Sequence, residues 1–422
     1  MNIRSCIFWL LDGLRGGKIR KNLKQVKKDM QIIQQPKSSK LSSILQYAIE
    51  NIPYYKDIDE PVISKFPIMN KKKYLDNYNQ FFSLDYDIDD LYSYTTSGSS
   101  GTPFTGYQDK EKRYKHTADL LFFHKKCGWS LGEKYIFLRA WVNKYGLSKL
   151  HNIKNNVIPF DVLYLDEKML EDIVYCMKHK RVKMILGYGS ALNQLANYLE
   201  SNNIFVSGIK TVISDSDSLK KESRLILEKR LGCNVVDRYS NEEHGLLGFS
   251  YQVDEPFEVN TSSYYIEILK LDKDEVAEPG EVGRIVITDL YNKAMPLIRY
   301  EIGDLGVSDE YSQNGIITIR NLQGRTSDML MKKNGTRISS AVVNNYMEEM
   351  NGIEKYQLIQ IGLGSFELYV VERNRSYSDL EYKKTLAPCI ERDSELVVYR
   401  VERIESEASG KFKTFVSKCN VN

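Results

Sequence analysis

From Tyr94 to Pro103 the chain reads Tyr-Thr-Thr-Ser-Gly-Ser-Ser-Gly-Thr-Pro, a run with no bulky side chain in its middle. Thr95, Thr96, Ser97, Ser99, Ser100 and Thr102 each offer a short rotatable hydroxyl, while Gly98 and Gly101 permit positive φ and close backbone approach. Successive N–H groups in such a run can converge on an anion, so the chemistry it suits is the holding of phosphate. On composition alone a flexible linker is the better reading. Position favours the cradle, because the run stands between folded-looking segments and not between domains. It is not the loop of kinases and GTPases, since no Gly-Lys-Ser/Thr follows.

Regular elements must hold such a loop. Upstream, Ile44, Leu45, Ala48, Ile49 and Ile52 recur at helical spacing until Pro53 stops the helix. Downstream, helical and extended patterns alternate. Leu170, Ile173, Val174 and Met177 mark a helix face, Val182 to Leu186 a buried strand, and Leu192, Leu195, Ala196 and Leu199 a second helix. Thr211 to Ile213 end a strand, Leu225 to Leu231 form a helix, and Val235-Val236 start another strand. Repeated strand–helix units predict a parallel sheet covered on both faces, with ligands at the carboxyl ends of its strands. Gly187 to Ser190, Ser214 to Asp217 and Tyr239 to Glu243 then fall along one crevice edge. An antiparallel section follows (Tyr264 to Leu269, Arg284 to Thr288, Leu297 to Tyr300), best fitted by a small barrel or curved sheet. After Ser327 comes a compact α+β unit, with a helix through Val342, Val343, Tyr346, Met347 and Met350 and strands at 358–361, 366–371 and 396–401.

With 422 residues, two domains are the natural expectation. Lys+Arg of 59 against Asp+Glu of 56 is too balanced for a nucleic-acid surface spread over the whole molecule. The six cysteines show no paired spacing, so neither a disulfide framework nor a zinc site is signalled, and reduced thiols in the cytoplasm are the simpler expectation. No span approaches the roughly 20 apolar residues of a transmembrane helix. The basic run Arg15, Lys18, Arg20, Lys21, Lys24, Lys27 and Lys28 suits a solvated helix face, with peripheral contact to an anionic membrane surface as the alternative.

The wording of several stretches resembles the acyl-adenylate-forming superfamily of acyl-CoA synthetases, luciferases and peptide-synthetase adenylation domains. The similarity is greatest to the branch of phenylacetate-CoA ligase and CapK-like capsular polysaccharide biosynthesis proteins. There the phosphate loop reads Thr-Ser-Gly-Thr-Thr-Gly-Lys-Pro, which falls on Thr96 to Pro103 with Thr102 in place of lysine. Ile52-Pro53-Tyr54-Tyr55-Lys56 and Phe66-Pro67-Ile68 resemble that branch's N-terminal signature. Tyr239-Ser240-Asn241-Glu242-Glu243 resembles the Tyr-Gly-x-Thr-Glu motif, which implies Tyr239 and Ser240 at the adenine and Glu243 at Mg²⁺, with Glu242 as the competing carboxylate. Arg299-Tyr300-Glu301-Ile302-Gly303-Asp304 resembles Tyr-Arg-Thr-Gly-Asp and implies that Asp304 accepts both ribose hydroxyls. Gly324-Arg325-Thr326-Ser327-Asp328 resembles the stretch at the domain junction, giving Arg325 to the ribose and phosphate side and Ser327 to the hinge, where relatives carry Asp or Lys. Ser409-Gly410-Lys411-Phe412-Lys413 resembles the segment of the adenylation lysine, implying Lys411 in catalysis and leaving Lys413 and Lys418 solvated.

The resemblance implies an α/β fold with a large ATP- and acid-binding domain over 1–326, including a β-barrel-like segment, and a mobile lid over 327–422. It implies ATP-dependent activation of a carboxylic acid as acyl-AMP, with Mg²⁺, then transfer to coenzyme A or to a sugar amine or hydroxyl in surface polysaccharide biosynthesis. The stretch from Tyr135 to Trp141 and the loop Gly187 to Ser190 would border the acid, and Arg139 suits a polar or doubly anionic one. A nucleotide-binding assembly protein without full turnover is the competing reading, to which Thr102 and Ser327 point. A serine hydrolase is poorly supported, since no Gly-x-Ser-x-Gly elbow is present.

Overall fold

Alternate residues along each central strand are apolar on both sides, and this pattern builds one large covered sheet. The computed structural model describes residues 2–31, 38–96, 104–140, 148–308, 310–312, 315–325, 329–333, 337–339, 343–344, 346–347, 350–373, 375–391, 393–404 and 414–418. The chain divides into two compact units, Met1–Glu267 with Val286–Ile302 and Ser308–Arg320, and Ile268–Ile285 with Gly303–Val307 and Asn321–Asn422.

The first unit opens with helices α1 (Ile3–Leu14), α2 (Lys18–Gln31), α3 (Ser38–Asn51) and α4 (Lys71–Asp76). Pro53 ends α3 as expected and starts a single 3₁₀ turn, Pro53–Tyr55. Ile44, Leu45, Ala48 and Ile52 pack with Tyr55, Phe66, Tyr74, Phe81 and Phe104 in an aromatic-rich core. A hairpin of β1 (Tyr92–Thr96) and β2 (Phe104–Gln108) follows, then helix α5 (Lys110–Lys126) capped by Asp109.

The eight-stranded sheet takes its parallel part from β3 (Tyr135–Arg139), β4 (Val157–Asp161), β5 (Met184–Tyr188), β6 (Thr211–Asp215) and β7 (Asn234–Asn241). Antiparallel β8 (Gly245–Ser250), β9 (Phe257–Val259) and the two-residue strand Thr318–Ile319 extend it, in the order edge strand, β9, β8, β7, β6, β5, β3, β4. Helices α6 (Lys149–Asn155), α7 (Glu167–His179), α8 (Gly189–Ser201) and α9 (Lys221–Leu231) form the crossovers. Ile185, Val212 and Val235 turn to a core with Leu170, Ile173, Leu192 and Leu195. Met184, Leu186, Ile213 and Val236 turn the other way, to Phe123, Trp129 and Phe249. The central strand begins at Met184, two residues after the expected start.

Helix α5 buries lysines, which a charge-based reading leaves in solvent. The Lys112 ammonium sits 2.5 Å from Asp289 and 3.0 Å from the Tyr264 hydroxyl. Lys115 meets Asp119 at 2.5 Å and the Ser263 hydroxyl at 2.6 Å. Lys40 bridges Asp29 (2.7 Å) and Tyr291 (2.8 Å). Each buried lysine of α5 thus has a counter-charge and a hydroxyl, as does the half-buried Lys40 of α3, the condition under which burial is tolerated.

The antiparallel section forms a four-stranded sheet in the order β10 (Tyr264–Leu269), β11 (Val282–Asp289), β12 (Tyr300–Val307), β16 (Asn321–Arg325). It is an open sheet, and no closed barrel is present among the described residues. Leu297 to Arg299, expected as strand, precede β12. Arg299 has φ of 44°, a turn that breaks the extended path, and its buried guanidinium is held by Glu267 (2.9 Å) and the Phe66 carbonyl (3.1 Å). The short strands β13 (Tyr311–Ser312), β14 (Gly315–Ile316) and β15 (Thr318–Ile319, the edge strand above) lie between β12 and β16.

Within the second unit, β17 (Met329–Met331) pairs with β18 (Arg337–Ser339). A second sheet runs β21 (Glu395–Arg400), β20 (Ser365–Glu372), β19 (Ile353–Gly362), β22 (Phe415–Ser417), antiparallel only between β19 and β20. The helix Asp379–Ile390 starts on a capping box of Ser378 and Glu381 and packs Tyr382, Leu386 and Ile390 against Leu358, Phe366 and Leu368. The buried Gln360 amide closes on both backbone groups of Met331, tying β17 to β19. Val343, Asn344, Tyr346 and Met347 are helical, within the expected helix.

Candidate active site

The hydroxyl–glycine run is the connection of the first hairpin. Strands β1 and β2 pair from Tyr92 with Gln108 to Thr96 with Phe104, so residues 97–103 span a closed strand pair. Thr95 and Thr96 form its base, and the Thr95 and Thr105 hydroxyls meet at 3.2 Å. Ser97, Gly98, Ser99, Ser100, Gly101 and Thr102 lie outside the described residues. Tyr94 lies across Gly106, where an added Cβ would come within 2.2 Å of the ring, so any other residue there would displace the Tyr94 ring.

At the far end of β2 the Gln108 side-chain amide donates to the Glu243 carbonyl at 3.1 Å. The hairpin that carries the loop and the Tyr239–Glu243 segment are therefore tied together, at the end of the strand pair remote from the loop. Charges at Glu243 act on Lys71, Tyr94 and Tyr300. Burial pushes the Lys71 amine down, with Glu243 acting against that shift. Burial raises the Tyr94 hydroxyl well above its ordinary range, and Glu243 adds to it. Its neighbour Glu242 is exposed and accepts from Arg139 at 3.0 Å. Arg139 also bonds the Tyr188 hydroxyl, so the charge expected to greet the acid is already engaged.

The carboxyl ends of the parallel strands do line up. Tyr188 is in register with Asp215, and Asp215 with Arg238. Ser240 donates to Asp215 at 2.9 Å, and the backbone N–H of Ser190, at the start of α8, donates to Asp217 at 3.2 Å. Gly189 is the tight point: a Cβ there would stand 2.4 Å from the Asp217 carbonyl oxygen. Tyr239 is buried, its ring 6.0 Å from that of Phe257.

In the second unit, Asp304 and Arg325 are register partners across β12 and β16, with the register shifting between Asp304 and Gly306. Gly303 and Asp304 thus lie inside a strand, not in a turn. Ser327 and Lys411 lie outside the described residues. The chain after Lys411 is anchored by Thr414, whose hydroxyl donates to Asn344 at 2.8 Å and whose carbonyl accepts from Leu358 at 2.8 Å. Sequence reasoning missed Gln108 and the role of Lys71. A glutamine ending a strand carries no signal of its partner, and Lys71 stands just beyond the Phe66-Pro67-Ile68 stretch that resembled the family signature.

The fold is that of the adenylate-forming ligases. A solved 2-hydroxyisobutyryl-CoA ligase, in its postadenylation state with a hydroxyacyl-AMP, superposes with a TM-score of 0.68 over 90% of this chain and 88% of that one, at 14% identity. Within that class the chain is similar in sequence to two further proteins. It is 22% identical to protein CapK of Staphylococcus aureus over 378 residues, 82% of this chain and 81% of CapK. It is 23% identical to phenylacetate-coenzyme A ligase of Pseudomonas putida over 371 residues, 80% of this chain and 81% of that one. Residues 330–418 match the CapK C-terminal domain.

Proposed function

We propose that the protein is an ATP-dependent ligase that activates a carboxylic acid as acyl-AMP and passes the acyl group to coenzyme A or to an amine or hydroxyl of a sugar. The observation that carries this reading is the Gln108–Glu243 bond, which ties the hairpin bearing the hydroxyl–glycine loop to the segment resembling the adenine motif. A carboxylate oxygen would attack the α-phosphorus of ATP, forming the acyl–phosphate bond as the bond to pyrophosphate breaks. Both reactants are anionic, so the barrier is largely electrostatic. Backbone donors of residues 97–102 would take the phosphates, Asp304 the ribose hydroxyls and Arg325 the phosphate side, with Tyr239 and Ser240 near the base.

Magnesium needs only one or two carboxylates when substrate phosphates complete its shell. Glu243 is the carboxylate assigned to that role, because it holds the glutamate position of the segment resembling the Tyr-Gly-x-Thr-Glu motif and its backbone is tied to the hairpin that bears the loop. Bound there, the ion would neutralise charge on the phosphates. Lys411 suits the bridging of the incoming carboxylate and the α-phosphate because a compact ammonium on a flexible stem reaches both. In this reading residues 327–422 act as a lid hinged at Thr326-Ser327, and the enzyme works in the cytoplasm on surface polysaccharide precursors, the context that the CapK relationship suggests.

Acid-dependent pyrophosphate release across a panel of carboxylic acids tests the reading, with coenzyme A and amino sugars then added in turn. Nucleotide binding without release for any acid would favour an assembly protein that lacks turnover.

A further inference from the structure

The first helix is inside out. In α1 the residues turned to the protein are polar, Ser5 at 6% exposure and Asp12 at 5%, seven positions apart on one stripe. The opposite stripe is apolar and open to solvent, with Ile3 74%, Ile7 51%, Leu10 65% and Leu14 77% exposed and Leu11 beside them. A surface helix of a water-soluble fold normally shows the reverse.

Local bonds fix this orientation. The Asp12 carboxylate accepts from the backbone N–H groups of Ile19 (3.0 Å) and Arg20 (3.1 Å) at the start of α2, and its carbonyl accepts from Gly17 (2.7 Å). Asn2 caps α1 by accepting from the Ser5 N–H at 2.9 Å, and its amide donates to the Leu131 carbonyl at 3.0 Å. The Arg20 guanidinium lies 5.4 Å from the Trp9 ring, locking the two helices together. Rotating α1 to hide its leucines would break the Asp12 and Asn2 bonds.

The segment that carries this stripe is strongly basic. Residues 2–28 hold eight basic side chains and a single acid, Asp12, which is the buried one. On α2, Ile19, Leu23, Val26 and Met30 turn inward, while Arg20, Lys21, Lys24, Lys27 and Lys28 are exposed. Apart from Glu111 of α5, which pairs with Lys18 at 2.7 Å, the exposed charges of α1 and α2 are cations. An apolar stripe beside them matches the boundary between anionic headgroups and acyl chains, where apolar side chains sink and lysines meet phosphates. A protein partner would ordinarily meet a polar rim of both signs. At 12 residues α1 is about 18 Å long, too short to cross a bilayer but sufficient to lie in its surface.

We infer that α1 and the outer face of α2 form a docking surface for an anionic lipid bilayer, with Ile3, Ile7, Leu10, Leu11 and Leu14 inserted and the α2 cations on the headgroups. The test is sedimentation of the full chain with vesicles of phosphatidylcholine alone or with about one third phosphatidylglycerol. The expected result is roughly tenfold or greater preference for the anionic vesicles, weakened by high salt. Leu10→Asp with Leu14→Asp, and separately Lys21→Glu with Lys24→Glu and Lys28→Glu, should each remove it while thermal unfolding stays unchanged. Leu14→Asp alone, at the most exposed position, serves if the double variant unfolds. Equal binding to both vesicle types, no binding, or full binding by folded variants would overturn the inference. So would concentration-dependent self-association, lost in the leucine variant, without vesicle uptake, since a second copy would then cover the stripe.

Discussion

Asp304 and Arg325 stand opposite one another across the antiparallel pair of β12 and β16, 21 positions apart in sequence, with the ladder slipping just beyond them. A register shift of this kind re-aims the residues beside it and often lies next to a functional site. Removal of the Asp304 carboxylate in Asp304→Ala should weaken ATP binding by roughly 1.5–3 kcal/mol per lost charged bond. Calorimetric titration of the folded variant checks this, and unchanged affinity would take Asp304 out of the site.

The two neighbouring glutamates should behave differently. Glu242 is exposed and paired with Arg139, whereas Glu243 adjoins Lys71, Tyr94 and Tyr300. Glu243→Gln should abolish Mg²⁺-dependent pyrophosphate release, and Glu242→Gln should leave most of it. Equal losses, or the larger loss at Glu242, would reverse the assignment.

If residues 327–422 act as a lid, Lys411 serves only the first half-reaction. Lys411→Ala should stop acyl-AMP formation yet leave transfer from supplied acyl-AMP largely intact, and Lys413→Ala should affect neither. Synthetic acyl-adenylate, once the acid is known, separates the steps. Joint loss of both would make Lys411 a structural residue.

Stability should fall in mild acid. His124 and His244 are buried, and the Nε2 of each lacks a partner among the described residues. Burial pushes both down to about 3. Unfolded, they regain a value near 6.5 and bind the more protons, so stability is full above that pH and declines as pH drops toward about 3. Each histidine contributes at most about 1.4 kcal/mol per pH unit within that window. Urea unfolding at pH 7.5, 6 and 5 reads the slope, which His124→Leu should flatten. Parallel curves for variant and parent would place the acid sensitivity elsewhere.

Much of this was legible in the sequence because it depends on neighbours in the chain. Residue spacing alone located α3, α7, α8 and α9 and the parallel strands β5, β6 and β7, though not β3 or β4, since a period of 3.6 or 2 is a local property. The hydroxyl–glycine run, Glu243, Asp304 and Arg325 could be singled out as candidates because they stand in short contiguous wordings that resemble the family's. Tertiary structure alone decided the partnerships between distant positions. Nothing local tells that Lys112 will meet Asp289 in the interior, that Gln108 will hold Glu243, or that Arg139 will spend its charge on Glu242. The orientation of α1 belongs with these. Its pattern announces an amphipathic helix, but which stripe faces water follows from Asp12 capping α2 and Asn2 reaching Leu131. Periodicity fixes that a helix has two faces, and only the bonds made across the fold choose between them.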